Sequence, residues 1–118
     1  MENKVYASDF DGTLCKDKFP EIGEPNKVII DFVKEQKLLG NKFILWTCRT
    51  KDMLNAAVDW CKEQGIEFDA VNENLPETKE KWGEDTRKVF CDAYIDDKNM
   101  SMRECIFNKV LFDIVAGK

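Results

Sequence analysis

Four short apolar runs, each closing abruptly on polar residues and alternating with segments of helical periodicity, narrow the folds open to this chain. Val5-Tyr6-Ala7-Ser8 runs into Asp9-Phe10-Asp11-Gly12-Thr13, and Phe43-Ile44-Leu45-Trp46 into Thr47-Cys48-Arg49-Thr50. Ile66 to Val71 ends at Asn72-Glu73-Asn74, and Val89 to Ile95 ends at Asp96-Asp97. Continuous apolar runs are the mark of strands buried on both faces, as in parallel sheets. Between them, Val28, Ile29, Phe32, Val33 and Leu39 recur at three and four before Gly40, as do Leu54, Ala57, Val58 and Cys61 before Gly65. Both read as amphipathic helices stopped by a glycine. Residues 14–25, with Pro20, Gly23 and Pro25, read as an irregular loop. The charged stretch 75–88 holds one short helix on a solvated face, and Ile106, Phe107, Val110, Leu111 and Ile114 mark a closing helix. The order β-α-β-α-β-α-β-α predicts a mainly parallel sheet wrapped by helices through right-handed crossovers.

At 118 residues the whole chain, 1–118, suits one domain that buries roughly 65% of its unfolded surface. No apolar run approaches the ~18 residues of a membrane span, and Met1 to Tyr6 lack a leader's apolar core, so the expected compartment is the cytoplasm. The net charge of −5 disfavours extended nucleic acid and anionic membranes as partners. Histidine is absent, which removes Ser-His-Asp and Cys-His catalysis and histidine-held zinc. The five scattered cysteines read as reduced thiols, most of them small core residues. Trp46 and Trp60 read as core, and Trp82 as an exposed contact.

In an open parallel sheet, ligands bind at the carboxyl ends of the strands. Three polar clusters fall there: Asp9/Asp11/Thr13, Thr47/Cys48/Arg49 and Asp96/Asp97. If the strands are neighbours, four carboxylates share one rim, where two unit charges ~4 Å apart repel by about 4 kcal/mol. A hard divalent cation with oxygen ligands, Mg²⁺ above all, relieves that crowding. Such a pocket suits a phosphoryl group: Mg²⁺ and a lysine neutralise its oxygens, and Thr47 with nearby backbone N–H groups donates hydrogen bonds. One carboxylate then attacks phosphorus while its neighbour two residues on handles the proton. Gly12 allows a sharp turn after Asp11 and close approach of backbone to a ligand. Each residue also has a plainer reading: Asp9 and Asp11 as turn formers, Asp97 as a cap, Arg49 as a surface salt bridge, Cys48 as a packed thiol.

Asp9-Phe10-Asp11-Gly12-Thr13 resembles the first motif, D-x-D-G-T, of the haloacid dehalogenase-like phosphohydrolases. Phe43 to Thr47 is similar to their second motif, and Tyr94-Ile95-Asp96-Asp97 to their fourth. The resemblance runs over nearly the whole chain and implies a Rossmann-like three-layer α/β/α sandwich. The 33 residues between Thr13 and Thr47 leave no room for a cap domain, as in the short hydrolase-like members from bacteria and phages. It further implies Asp9 as the nucleophile forming an aspartyl-phosphate and Asp11 as general acid, then base. Mg²⁺ would be held by Asp9, the Asp11 backbone carbonyl and Asp96, with Asp97 in support. Thr47, with backbone at Gly12 and Cys48, would bind the phosphoryl group. The lone lysine of the third motif is assigned to Lys88, with Arg87, Lys79 and Lys81 as alternatives. Without a cap, the substrate is a small phosphorylated molecule or the phosphorylated end of a macromolecule, and an oligomeric neighbour could complete the site. A receiver domain gathers similar residues in a different order, its acidic pair closing the first strand. A non-catalytic phosphate- or partner-binding module on the same fold remains the alternative.

Overall fold

The computed structural model describes residues 3–117. Its elements are β1 (Val5–Ser8), β2 (Cys15–Lys18), β3 (Glu21–Pro25), α1 (Lys27–Leu38), β4 (Lys42–Leu45), α2 (Lys51–Glu63), β5 (Ala70–Val71), α3 (Pro76–Trp82), β6 (Ala93–Ile95) and α4 (Met102–Val115). Four parallel strands form the main sheet in the order β5-β4-β1-β6. The chain walks from β1 to β5 on one side and then crosses back to place β6 on the other side of β1. That reversal places a crevice at the carboxyl ends of β1 and β6, where ligands bind in open sheets of this kind. The architecture is the expected Rossmann-like α/β sandwich with a mainly parallel sheet.

Strand register sorts side chains between the two faces, because the side-chain period along a strand is two. Ala7 pairs Ile44 and Tyr94, and Ile44 pairs Ala70, so these four form one row on the second face. Tyr6, Phe43 and Leu45 point to the first face, where Ile30 and Val33 of α1 and Ala57 and Cys61 of α2 cover them. Phe43, Leu45, Val33 and Cys61 are all fully buried there, each large apolar side chain contributing about 1.5–3 kcal/mol. The second face has a smaller core of Ala7, Ile44, Ala70, Leu75 and Val89. Asn74 holds that layer together: its Nδ2 donates to Asp85 Oδ1 at 2.8 Å and to the Thr86 carbonyl at 3.1 Å, and its Oδ1 accepts from Phe90 N at 2.7 Å. The charged stretch is thus tied down by one buried amide and is not only a solvated face.

Several local expectations are corrected. Residues 14–25 are not an irregular loop but contain the antiparallel hairpin β2–β3. Five of its nine strand residues are charged, and only Cys15, Ile22 and Gly23 face inward, so no apolar run announces them. A Cβ at Gly23 would meet the Lys16 carbonyl oxygen at 2.2 Å, which explains the glycine. The third and fourth strands are shorter than their apolar runs, because Ile66 and Val89 are buried outside the sheet's ladder. Trp60 packs edge-on to Phe10 at 5.5 Å, whereas Trp46 lies at the surface of the cleft. Of the cysteines, Cys15 and Cys61 are buried, but Cys48 and Cys105 are exposed. The closing helix forms as expected, yet none of its described residues is buried. No helix among the described residues is long and apolar enough to cross a membrane.

Candidate active site

A cleft of about 700 Å³ opens over the carboxyl ends of β1, β4 and β6, with Asp9, Asp11, Thr47, Cys48 and Asp96 in its lining. Asp9 follows the central strand and is fixed from two sides. Its N–H donates to the Ile95 carbonyl at 2.8 Å, and its Oδ1 accepts from Phe10 N at 2.8 Å. Burial pushes the Asp9 carboxyl up to about 6; the Phe10 amide opposes the rise, and the Asp97 and Asp96 charges add to it. Crowding among acidic groups is therefore present at this end of the sheet. Asp97 reaches the site over Gly12, whose φ is +83° and where a Cβ would stand 2.2 Å from Asp97 Oδ2. Gly12→Ala should then displace the Asp97 carboxylate and strain the turn. Equilibrium unfolding should register a loss of about 1 kcal/mol or more, and an unchanged midpoint would refute that role for the glycine.

Asp11 is engaged differently from its three acidic neighbours. Arg49 is only 1% exposed, and its Nε and Nη2 donate to Asp11 Oδ2 and Oδ1 at 2.8 and 2.7 Å. The same guanidinium donates to the Pro20 and Glu21 carbonyls at 3.0 and 2.9 Å. It lies 5.1 Å from the ring centres of Phe10 and Phe19. The hydrogen bonds to Asp11 raise the Arg49 pKa further above its usual value. The sequence reading of Arg49 as a surface salt bridge does not describe this buried guanidinium. It is the buried cross-piece joining the β4 end, the Asp11 turn and the β2–β3 hairpin. With Asp11 paired, the crowded set shrinks to Asp9, Asp96 and Asp97.

The remaining expected residues divide. Thr47 stands at the cleft with its N–H donating to Asn72 Oδ1 at 2.8 Å, while its Oγ1 accepts from Arg49 N at 3.2 Å. Cys48 is an exposed thiol in the lining, not a packed one. Lys88 is not brought to the cleft. It borders a separate groove with Trp82 and Phe90, because the strand begins only at Ala93 and Lys88 falls in the segment crossing the second face. Lys79 pairs Glu73 at 2.7 Å, Lys81 lies 5.6 Å over Trp82, and Arg87 is exposed. The cleft's lysine is Lys98, whose N–H donates to Asp96 Oδ1 at 2.6 Å. Sequence reasoning also missed Asn72, whose only signal was its place at a polar strand end. It missed the ring wall of Phe19, Trp46 and Tyr94 as well, since isolated aromatics read as core. Thr13 is buried, and its Oγ1 has no hydrogen-bond partner among the described residues.

No three acidic or thiol side chains among the described residues are grouped closely enough to hold a metal ion as they stand. The donor chemistry nonetheless suits Mg²⁺, which takes one or two carboxylates and keeps several waters. Asp9, Asp96 and Asp97 offer hard oxygens, and the Asp97 and Asp96 charges add to the burial that raises Asp9.

An α/β domain with acidic loops gathered over the end of its central strand is the class of protein these features define. No family profile and no curated protein matches the chain. A solved structure of a conserved protein from Bacteroides thetaiotaomicron is 31% identical, with a TM-score of 0.74, over 95% of this chain and 93% of that one. The chain belongs to the same family as that protein.

Proposed function

We propose that the protein is a phosphomonoester hydrolase that works through an aspartyl-phosphate on Asp9. The observation that carries this reading is the Asp9 carboxylate at the end of the central strand, crowded by Asp96 and Asp97 on the floor of an open cleft. One Asp9 oxygen attacks phosphorus and the ester oxygen departs, taking a proton from Asp11. A water then attacks the acyl phosphate, giving its proton back to Asp11 and freeing Asp9 and inorganic phosphate. Thr47 and the Cys48 backbone N–H, at the cleft, would donate to the phosphoryl oxygens, and Lys98 would add positive charge at the rim. Asp9 and Asp96, with Asp97 in support, would hold Mg²⁺, which when bound supplies charge neutralisation for the phosphoryl oxygens. Both Asp11 oxygens now accept from Arg49, so proton transfer requires the fork to slide off at least one of them. The three aromatic rings on the cleft wall favour an alcohol with a flat apolar face over an open-chain sugar.

The Arg49–Asp11 pair also favours a second reading, a phosphate-binding module without turnover, because a carboxylate clamped at both oxygens transfers no proton. A panel of p-nitrophenyl phosphate, nucleotides, sugar phosphates and a 3′-phosphorylated oligonucleotide, assayed with Mg²⁺ or with EDTA, separates the two. Mg²⁺-dependent phosphate release from any member supports the hydrolase. Binding of phosphate with no release anywhere on the panel supports the module. Independently of turnover, millimolar Mg²⁺ should raise the melting temperature, since a cation bound only by the folded state stabilises it. An unchanged Tm would count against a cation site formed by Asp9, Asp96 and Asp97.

A further inference from the structure

α4 carries an apolar stripe that its own chain leaves uncovered. Ile106, Phe107, Val110, Leu111 and Ile114 recur at three and four, yet they are 60, 62, 50, 43 and 69% exposed. None of the helix's described residues is buried against the sheet or another helix. The second face of the sheet has the matching deficit. Beyond its small core, Trp82, Val89, Phe90, Cys91 and Tyr94 line an apolar groove of about 430 Å³, with Trp82 and Phe90 55 and 59% exposed. In a sandwich of this kind the helix that follows the edge strand covers that face. Here residues 96–101 lead α4 away from it. The described residues extend over 53 × 37 × 29 Å with a radius of gyration of 16.9 Å, against about 13.5 Å for a compact chain of this length.

We propose that two copies of the chain exchange α4, the stripe of each helix filling the Trp82–Phe90–Tyr94 groove of the other. The helix and the groove occur once each per chain and do not meet within it, so a two-fold exchange leaves neither uncovered. Each of these side chains presents roughly half of the ~150–250 Å² that an aromatic can bury, so the stripe and groove together represent on the order of 800 Å² per copy. A stable interface buries about that much on each partner. The link that carries α4 across begins with Asp96-Asp97, and Tyr94 borders both the groove and the catalytic cleft. Exchange would thus brace the acidic loop as well as bury the helix.

Sedimentation or light scattering on the full chain should give twice the 13.7 kDa protomer mass. A protomer mass across the micromolar range overturns the proposal, leaving either closure of α4 on its own groove or a different partner. Val110→Asp in the helix and Phe90→Asp in the groove should each yield a monomer with native circular dichroism. An equimolar mixture of the two variants, passed through mild denaturant, should regain dimer, because the mixed dimer retains one unmutated helix–groove pair. A dimer that survives Phe90→Asp, as a direct α4–α4 contact would, overturns the exchange. So does a mixture that stays monomeric.

Discussion

Asp9→Asn is expected to fold normally and to release phosphate at least ~10³-fold more slowly than the wild type. The amide oxygen can still accept from the Phe10 N–H, the 2.8 Å contact that sets the local turn. What disappears is the charged nucleophile, and an amide does not form the acyl phosphate. Stability should hold or rise slightly, because the substitution removes a carboxylate whose charged form is disfavoured by burial and by the Asp97 and Asp96 charges, which push it up to about 6. The assay is single-turnover phosphate release on the best panel substrate, with thermal melting as the fold control. Wild-type turnover in the variant would remove Asp9 from the mechanism, whatever the Mg²⁺ dependence.

The largest effect on stability should come from Arg49. Breaking a buried ion pair by removing one partner costs about 3–5 kcal/mol, and Arg49→Met removes more than a pair. It leaves Asp11, whose side chain is 18% exposed, without its counter-ion, and it frees the Pro20 and Glu21 carbonyls that hold the hairpin. Urea unfolding should show the midpoint falling by most of the wild-type stability. Arg49→Lys should recover little of it, because a single ammonium does not span both carboxylate oxygens and two carbonyls in one plane. Arg49→Met/Asp11→Leu should be more stable than Arg49→Met alone, since the second change removes the stranded charge. If Arg49→Met unfolds within about 1 kcal/mol of wild type, below the range for a broken buried pair, the cross-piece is not what holds the hairpin to the sheet.

The helices α1 and α2 could be read from sequence because their evidence is local: apolar residues at three and four, then a glycine, within a dozen positions. The central strands were legible for the same reason, as continuous apolar runs ending on polar residues. The hairpin Cys15–Pro25 was not, because its strands earn their place by backbone pairing and by Arg49 rather than by apolar side chains. Lys88 was misplaced by a similar route. The run Val89–Ile95 reads as one strand, but Val89 is buried under the second face and the ladder starts at Ala93, which moves every residue before it away from the cleft.

Residue pattern alone settled the α/β alternation, the parallel sheet and the strand ends that bear Asp9, Thr47 and Asp96, since each depends on chemistry within one short window. Tertiary structure decided the rest. Arg49 reads as any arginine until the chain brings Asp11, 38 positions away, within 2.7 Å of it. The amphipathic stripe of α4 likewise promises burial without naming the surface that provides it. Periodicity records that a face must leave water, whereas the choice of partner depends on distances that form only when the chain, or two copies of it, has folded.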